Sequence, residues 1–265
     1  MSETVLFAIE GSIARLTLNR PTRGNVIDLE MARALFKAAI RCDTDPDIRC
    51  VVLTGAGNMF CAGGDLAAFS GAGKQVPALL SELAGTLHMA ICRLMRMPKP
   101  LVVLVNGPAA GAGCSLAISG DVVLAAPAAH FTVAYTAIGL TPDGGMSWLL
   151  PRLVGLRKAQ EMILMNRRVN AAEAESIGLV TRVVAEGALD VEGNAIADTL
   201  SRSATSALGV VRELLLESSS EMLEAQLEKE ARAITAAGGN AESEEGIAAY
   251  GEKRKPNFKR TNSYG

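Results

Sequence analysis

The chain repeats one local pattern: a short run rich in Val, Ile and Leu, a glycine-bearing turn, then a helical stretch. Residues 50–54 form such a run, ended by Gly55 and Gly57. Residues 101–105 lead through Gly107 to a short helical pattern over 111–119, and residues 122–125 form another run. Strands that are apolar without alternation are buried on both faces, and helices must cover them, so the pattern predicts an α/β core. Residues 5–9 and 13–18 flank a turn at Glu10 and Gly11 and read as a hairpin. Asp28 caps a predicted helix carrying Met31, Leu35, Ala39 and Ile40 on one face, and residues 76–97 read as a long helix stopped by Pro98 and Pro100. From about Leu189 onward the pattern is helical, with a soft boundary near residue 200. That divides residues 1–200, a mixed core, from residues 201–265, a helical region.

Charge and composition exclude several function classes. A formal net charge of −2 without a basic stripe argues against nucleic-acid binding. Residues 1–9 lack a basic region followed by an apolar segment, so no signal peptide is expected, and no uninterrupted apolar run reaches spanning length. Cys42, Cys50, Cys61, Cys92 and Cys114 are scattered and odd in number, which suits reduced thiols in a cytoplasmic protein. His88 and His130 are the only histidines and neither has a clustered partner, so no metal site is expected.

Three glycine-rich turns could carry chemistry. Residues 60–66 (Phe60, Cys61, Ala62, Gly63, Gly64, Asp65, Leu66) and residues 106–114 each follow a strand and lead toward a helix. Facing one another, they could offer two backbone amides to a developing oxyanion. Taken alone, either segment is better explained by close helix packing, and neither ends as a phosphate loop does. In the third, residues 139–145, Asp143 before Gly144 and Gly145 reads as an ordinary helix cap.

Taken in order, these segments resemble the crotonase (enoyl-CoA hydratase/isomerase) superfamily. The likeness runs through Asn19-Arg20-Pro21, Asn25, residues 54–66, Lys99-Pro100, Asn106-Gly107 and Gly111-Ala112-Gly113-Cys114. It continues through residues 138–140, 150–155, 171–174 and 178–180, and 252–258. The resemblance implies an α/β spiral of ββα units with a C-terminal helical region for oligomer assembly, as a homotrimer or a dimer of trimers. It implies an acyl-CoA thioester substrate, with no cofactor beyond the coenzyme A that is part of it. The thioester oxygen would rest on the amides of Gly64 and Ala112. Arg23, Cys61, Ala62, Gly63, Asp65, Leu66 and Gly111 would contact the acyl-CoA, the adenine lying near 61–62 and 65–66, and the basic tail 253–260 would join Arg23 at the phosphates.

The departures from the family pattern bear on the reaction. The two glutamates of a typical hydratase fall at Ser115 and Tyr135, which are poor bases without help, and neither histidine is expected beside them. The run Pro142-Asp143-Gly144-Gly145 followed by Trp148-Leu149-Leu150-Pro151 resembles the ring-epoxide and enoyl-CoA isomerase branch of phenylacetate catabolism. That likeness makes Asp143 the candidate single acid/base of a double-bond shift, with Ser115 and Tyr135 orienting the acyl group. Asp65 is expected to tie its loop, and Glu82 is a remote candidate for a second acid. The rival readings are a hydratase with an altered acid set, a lyase or dehalogenase reaction through Asp143, and an acyl-CoA binder without catalysis.

Overall fold

The computed structural model describes residues 3–258. Strands β1 (Val5–Glu10) and β2 (Ile13–Leu18) form the hairpin, and helix α1 (Leu29–Thr44) follows, its first turn capped by the Asp28 carboxylate on Met31 N. Next come β3 (Cys50–Gly55), α2 (Leu66–Ala72) and α3 (Val76–Arg96), then β4 (Leu101–Val105), β5 (Ala109–Ala110) and α4 (Ala112–Ala117). Strands β6 (Val122–Ala125) and β7 (His130–Thr132) precede α5 (Met146–Leu164), which breaks at Gly155. The chain continues through β8 (Val169–Asn170), α6 (Ala171–Ser176), β9 (Arg182–Val183) and α7 (Leu189–Arg202). It ends in α8 (Thr205–Ser218), α9 (Leu223–Gly238) and α10 (Ala241–Gly251).

The six-stranded sheet has the order β1-β2-β3-β4-β6-β9, parallel throughout except for the β1–β2 hairpin. A smaller sheet, β5-β7-β8, lies in a second layer. Period-two alternation sends Val51, Leu53, Leu101, Val103 and Val105 into the large core shared with α1 and α3. Their neighbours Cys50, Val52, Val102 and Leu104 face the other way, onto a second core closed by Ala197, Ile196 and Leu200 of α7. This is why the strand sequences show no polar alternation. Helix α7 lies so close to the sheet that a Cβ at Gly193 would stand 2.5 Å from a Leu104 methyl.

The C-terminal helices are tied to the core by buried polar contacts. Arg49 donates to the carbonyls of Ser201 and Ser203 and pairs with buried Glu242 of α10. Arg212 of α8 donates to the carbonyls of Leu94 and Met97 at the end of α3. The segment 66–96 is apolar and long enough to cross a membrane by composition. Here Leu83, Leu87, Ala90, Ile91 and Leu94 of α3 join the core with α1 instead.

Candidate active site

The two glycine turns meet as the sequence suggests they could. Ala110 N donates to Cys61 O at 2.9 Å, while Phe60 N and Cys61 N both reach Pro108 O. Gly63 takes φ 95°, and a Cβ there would lie 2.7 Å from Ala110 O. At Gly113 a Cβ would lie 2.3 Å from Cys61 O. Side chains at either position would push the turns apart. Asn25, fully buried with φ 53°, anchors the first turn: its amide nitrogen donates to the carbonyls of Ala56, Met59 and Phe60.

Two amides are left without an acceptor on the wall of one cavity. Gly64 N and Ala112 N have no hydrogen-bond acceptor among the described residues, and both residues line a cavity of about 410 Å³. Ala112 opens α4, so its N–H is one of the groups a helix start leaves unpaired. The remaining walls are mainly apolar, from Leu66 and Phe69 of α2, Leu83 and Leu87 of α3, and Ile138 and Leu140. Asp143 is the one carboxyl group among the lining residues.

Asp143 is held from three sides. The Tyr135 hydroxyl donates to its Oδ1 at 2.6 Å, and Ser115 Oγ donates to its backbone carbonyl at 2.9 Å. His88 Nε2 stands 3.4 Å from its Oδ2. The helix-cap reading of this carboxylate does not hold. Gly145 is the N-cap of α5, and the first turn bonds to Asp143 through the main-chain carbonyl, on Met146 N. The left-handed pair Gly144 (φ 62°) and Gly145 (φ 82°) turns the chain before the helix starts, which aims the side chain into the cavity.

Burial, and then the adjacent Asp143 carboxylate, hold the Tyr135 phenol well above its ordinary value. It therefore stays protonated and serves as a donor rather than a base. Ser115 is buried beneath the turn and bonded to it, so it fixes Asp143 and does not line the cavity.

The structure also sorts the other sequence candidates. Ala62, Gly64, Leu66, Gly111, Ala112, Tyr135 and Asp143 share the cavity wall. Cys61 and Gly63 support it from behind, the Cys61 thiol donating to Asn25 O. Asp65 caps α2 through the amides of Ala67 and Ala68 and pairs with Arg23 at 2.6 Å. Arg23 remains half exposed, and it does not line the cavity. Glu82 points to solvent and pairs with Arg33, so it is not a second acid at the site. In the tail, Arg254 is engaged by Glu245 and Glu252, and Lys259 and Arg260 lie outside the described residues.

One residue was missed. Neither histidine is expected near the acids from the order of the motifs, yet His88 touches Asp143 and accepts from Gly144 N at 3.0 Å. The signal was present in α3: Leu80 and Ala84 line the cavity, and His88 follows on the same i, i+4, i+8 stripe.

Comparison with known proteins gives the family. The family model described as enoyl-CoA hydratase/isomerase matches residues 8–261. The 1,2-epoxyphenylacetyl-CoA isomerase of Escherichia coli K12 is 36% identical over 259 residues, covering 97% of this chain and 99% of that protein. The 4-chlorobenzoyl coenzyme A dehalogenase-2 of an Arthrobacter species is 32% identical over 242 residues, covering 91% and 88%. Among solved structures, an enoyl-CoA hydratase from Polaromonas sp. JS666 superposes with a TM-score of 0.91 at 36% identity, covering 95% of this chain and 98% of that one. The chain therefore belongs to the enoyl-CoA hydratase/isomerase, or crotonase, family of acyl-CoA enzymes.

Proposed function

We propose that this enzyme is an enoyl-CoA isomerase in which Asp143 alone moves the proton. The observation that carries the reading is the composition of the cavity wall: two unpaired amides and a single carboxyl group. Asp143 takes a proton next to, or conjugated with, the thioester carbonyl. The electron pair spreads onto the thioester oxygen, which the Gly64 and Ala112 amides stabilise in a largely apolar setting. The carboxyl group then returns the proton to a different carbon, and the double bond has shifted. Tyr135 donates to the same carboxylate and Ser115 fixes its backbone, so both orient the base and neither replaces a hydratase glutamate. Arg23, half exposed and paired with Asp65 of the first glycine turn, meets the coenzyme A phosphates.

The test is a panel of β,γ-enoyl, α,β-enoyl and aromatic-ring epoxide CoA thioesters against wild type and Asp143→Asn. The variant should lose isomerisation by about 10²- to 10⁴-fold, the usual contribution of a positioned acid–base group. Rapid hydration of a 2-enoyl-CoA that survives Asp143→Asn would refute the assignment.

A second reading is favoured by His88. In an aryl-halide displacement Asp143 would attack the ring as nucleophile and expel halide, forming an aspartyl ester. Hydrolysis of that ester needs a further base, and His88 stands beside it. Mass spectrometry of the quenched reaction distinguishes the two, because an isomerase leaves no covalent adduct on Asp143.

Exposed Leu223, Leu227, Ile234, Ile247 and Tyr250 on α9 and α10 support assembly into a homotrimer or a dimer of trimers, which light scattering would measure. The five unpaired cysteines suit a cytoplasmic setting.

A further inference from the structure

Asp143 and His88 stand between two cavities. Asp143 lines the apolar acyl cavity, which His88 does not reach. His88 and Gly144 line a second cavity of about 510 Å³ on the far side, bounded by Arg96, Glu217, Glu221 and Lys229. The His88 side chain is 44% exposed. A carboxyl group facing an apolar acyl cavity thus touches an imidazole that faces a second, separate cavity with charged side chains in its wall.

The protonation of that imidazole follows from its partner. Gly144 N can only donate, so Nε2 accepts, and the neutral ring carries its proton on Nδ1. The Nε2 lone pair is then directed at Gly144, within 3.4 Å of Asp143 Oδ2. A protonated Asp143 has one basic atom beside it, and that atom belongs to a ring open to water.

We propose that His88 is the relay through which the proton taken up by Asp143 exchanges with solvent. The proposal rests on the isomerase reading of Asp143 and adds a route that the reading does not require. After abstraction, protonated Asp143 either returns its proton to the substrate or passes it to His88 Nε2. The second step regenerates the carboxylate and forms an imidazolium, while Gly144 N–H gives up its acceptor. The proton received on Nε2 leaves to water in the second cavity, which Gly144 beside it also lines, and a solvent proton taken up at the same nitrogen returns to Asp143. No net charge moves. His88 acts only through Asp143, as a positioning residue for its proton.

The consequence is a partition between internal return and solvent exchange. The experiment uses the full chain in deuterium oxide with two probes. A 3-enoyl-CoA reports isomerisation and the deuterium carried into product, and hexanoyl-CoA reports exchange at the carbon next to the thioester. Hexanoyl-CoA exchange depends wholly on renewal of the Asp143 proton, whereas isomerisation can proceed by internal return. In His88→Gln the side-chain carbonyl can still accept from Gly144 N but carries no proton. The ratio of exchange to isomerisation should fall by about thirtyfold or more, given the 10²–10⁴ that a positioned proton carrier contributes.

Partial misfolding lowers both rates together and leaves the ratio alone, so an unchanged ratio in His88→Gln overturns the relay. Wild type that isomerises with no deuterium from solvent overturns it as well. In His88→Ala, added imidazole should restore exchange through the second cavity, and a failure to do so counts against the route. Should wild type exchange hexanoyl-CoA without isomerising any enoyl thioester, the isomerase reading fails by itself. The relay is then judged on the exchange rates of wild type and His88→Gln.

Discussion

Gly63 shows how much of this site rests on single backbone positions. Its φ of 95° is rarely open to other residues, and its Cα faces the Ala110 carbonyl. Gly63→Ala would wedge the two turns apart, displacing the Gly64 amide relative to Ala112. With one oxyanion donor misplaced, kcat should fall by about 10²- to 10³-fold, while thioester binding weakens less. Steady-state kinetics on an isomerisable enoyl-CoA would check this, and an unaltered kcat would mean that the amides do not form the oxyanion site. The same scale explains why Asp143 was ambiguous from sequence. Asp followed by Gly-Gly is both a capping signature and a way to aim a carboxylate. What decides is that Gly145 takes the cap position and Tyr135 takes Oδ1.

At the scale of elements, the second glycine turn opens into α4 and the first into α2. Helix α2 spans only Leu66–Ala72, yet Leu66 and Phe69 line the acyl cavity. So short a helix depends on its cap, and Asp65 accepts from both Ala67 N and Ala68 N while holding Arg23. Asp65→Ala should therefore cost about 1 kcal/mol from the lost cap. It should also raise KM more than it lowers kcat, because the wall loosens while Asp143 stays in place. Denaturant titration together with the kinetics would separate the two effects, and unchanged values of both would exclude Asp65 from either role. Elements with long apolar runs or strong caps were legible in the sequence: the hairpin, α1, β3, β4 and α3 all appear where the pattern puts them. Strands β5, β8 and β9, of two residues each, were not. No periodicity can develop over two residues, and each pairs with a strand, β7 or β6, that the local sequence does not name. His88 escaped for a related reason. Its meaning depends on α3 crossing over a turn that lies more than fifty residues further along the chain.

For the molecule as a whole, deep burial of its thiols has an electrostatic consequence. Cys42, Cys50, Cys61 and Cys114 are fully buried, and burial pushes each thiol from 9.0 up to about 12. Between those values the unfolded chain releases protons that the folded chain keeps. Stability is therefore fully present below about pH 9 and is lost as pH rises toward 12. The raised phenol of Tyr135 acts in the same direction above its ordinary value of 10.0. Lys99 opposes them: burial lowers its value, so the folded chain releases that proton first. Each thiol contributes a slope of about 1.4 kcal/mol per pH unit, and the four together about 5–6 kcal/mol per pH unit. Against a typical stability of about 5–15 kcal/mol, unfolding should set in within about one to three pH units above 9. Denaturant or thermal melts at pH 7, 9, 10 and 11 under reducing conditions would follow the loss. In Cys50→Ala the absolute stability should drop through the cavity left behind, while its slope against pH becomes shallower by one thiol's share. A melting temperature flat from pH 7 to 11 would mean that these thiols ionise as freely folded as unfolded, which their full burial does not allow.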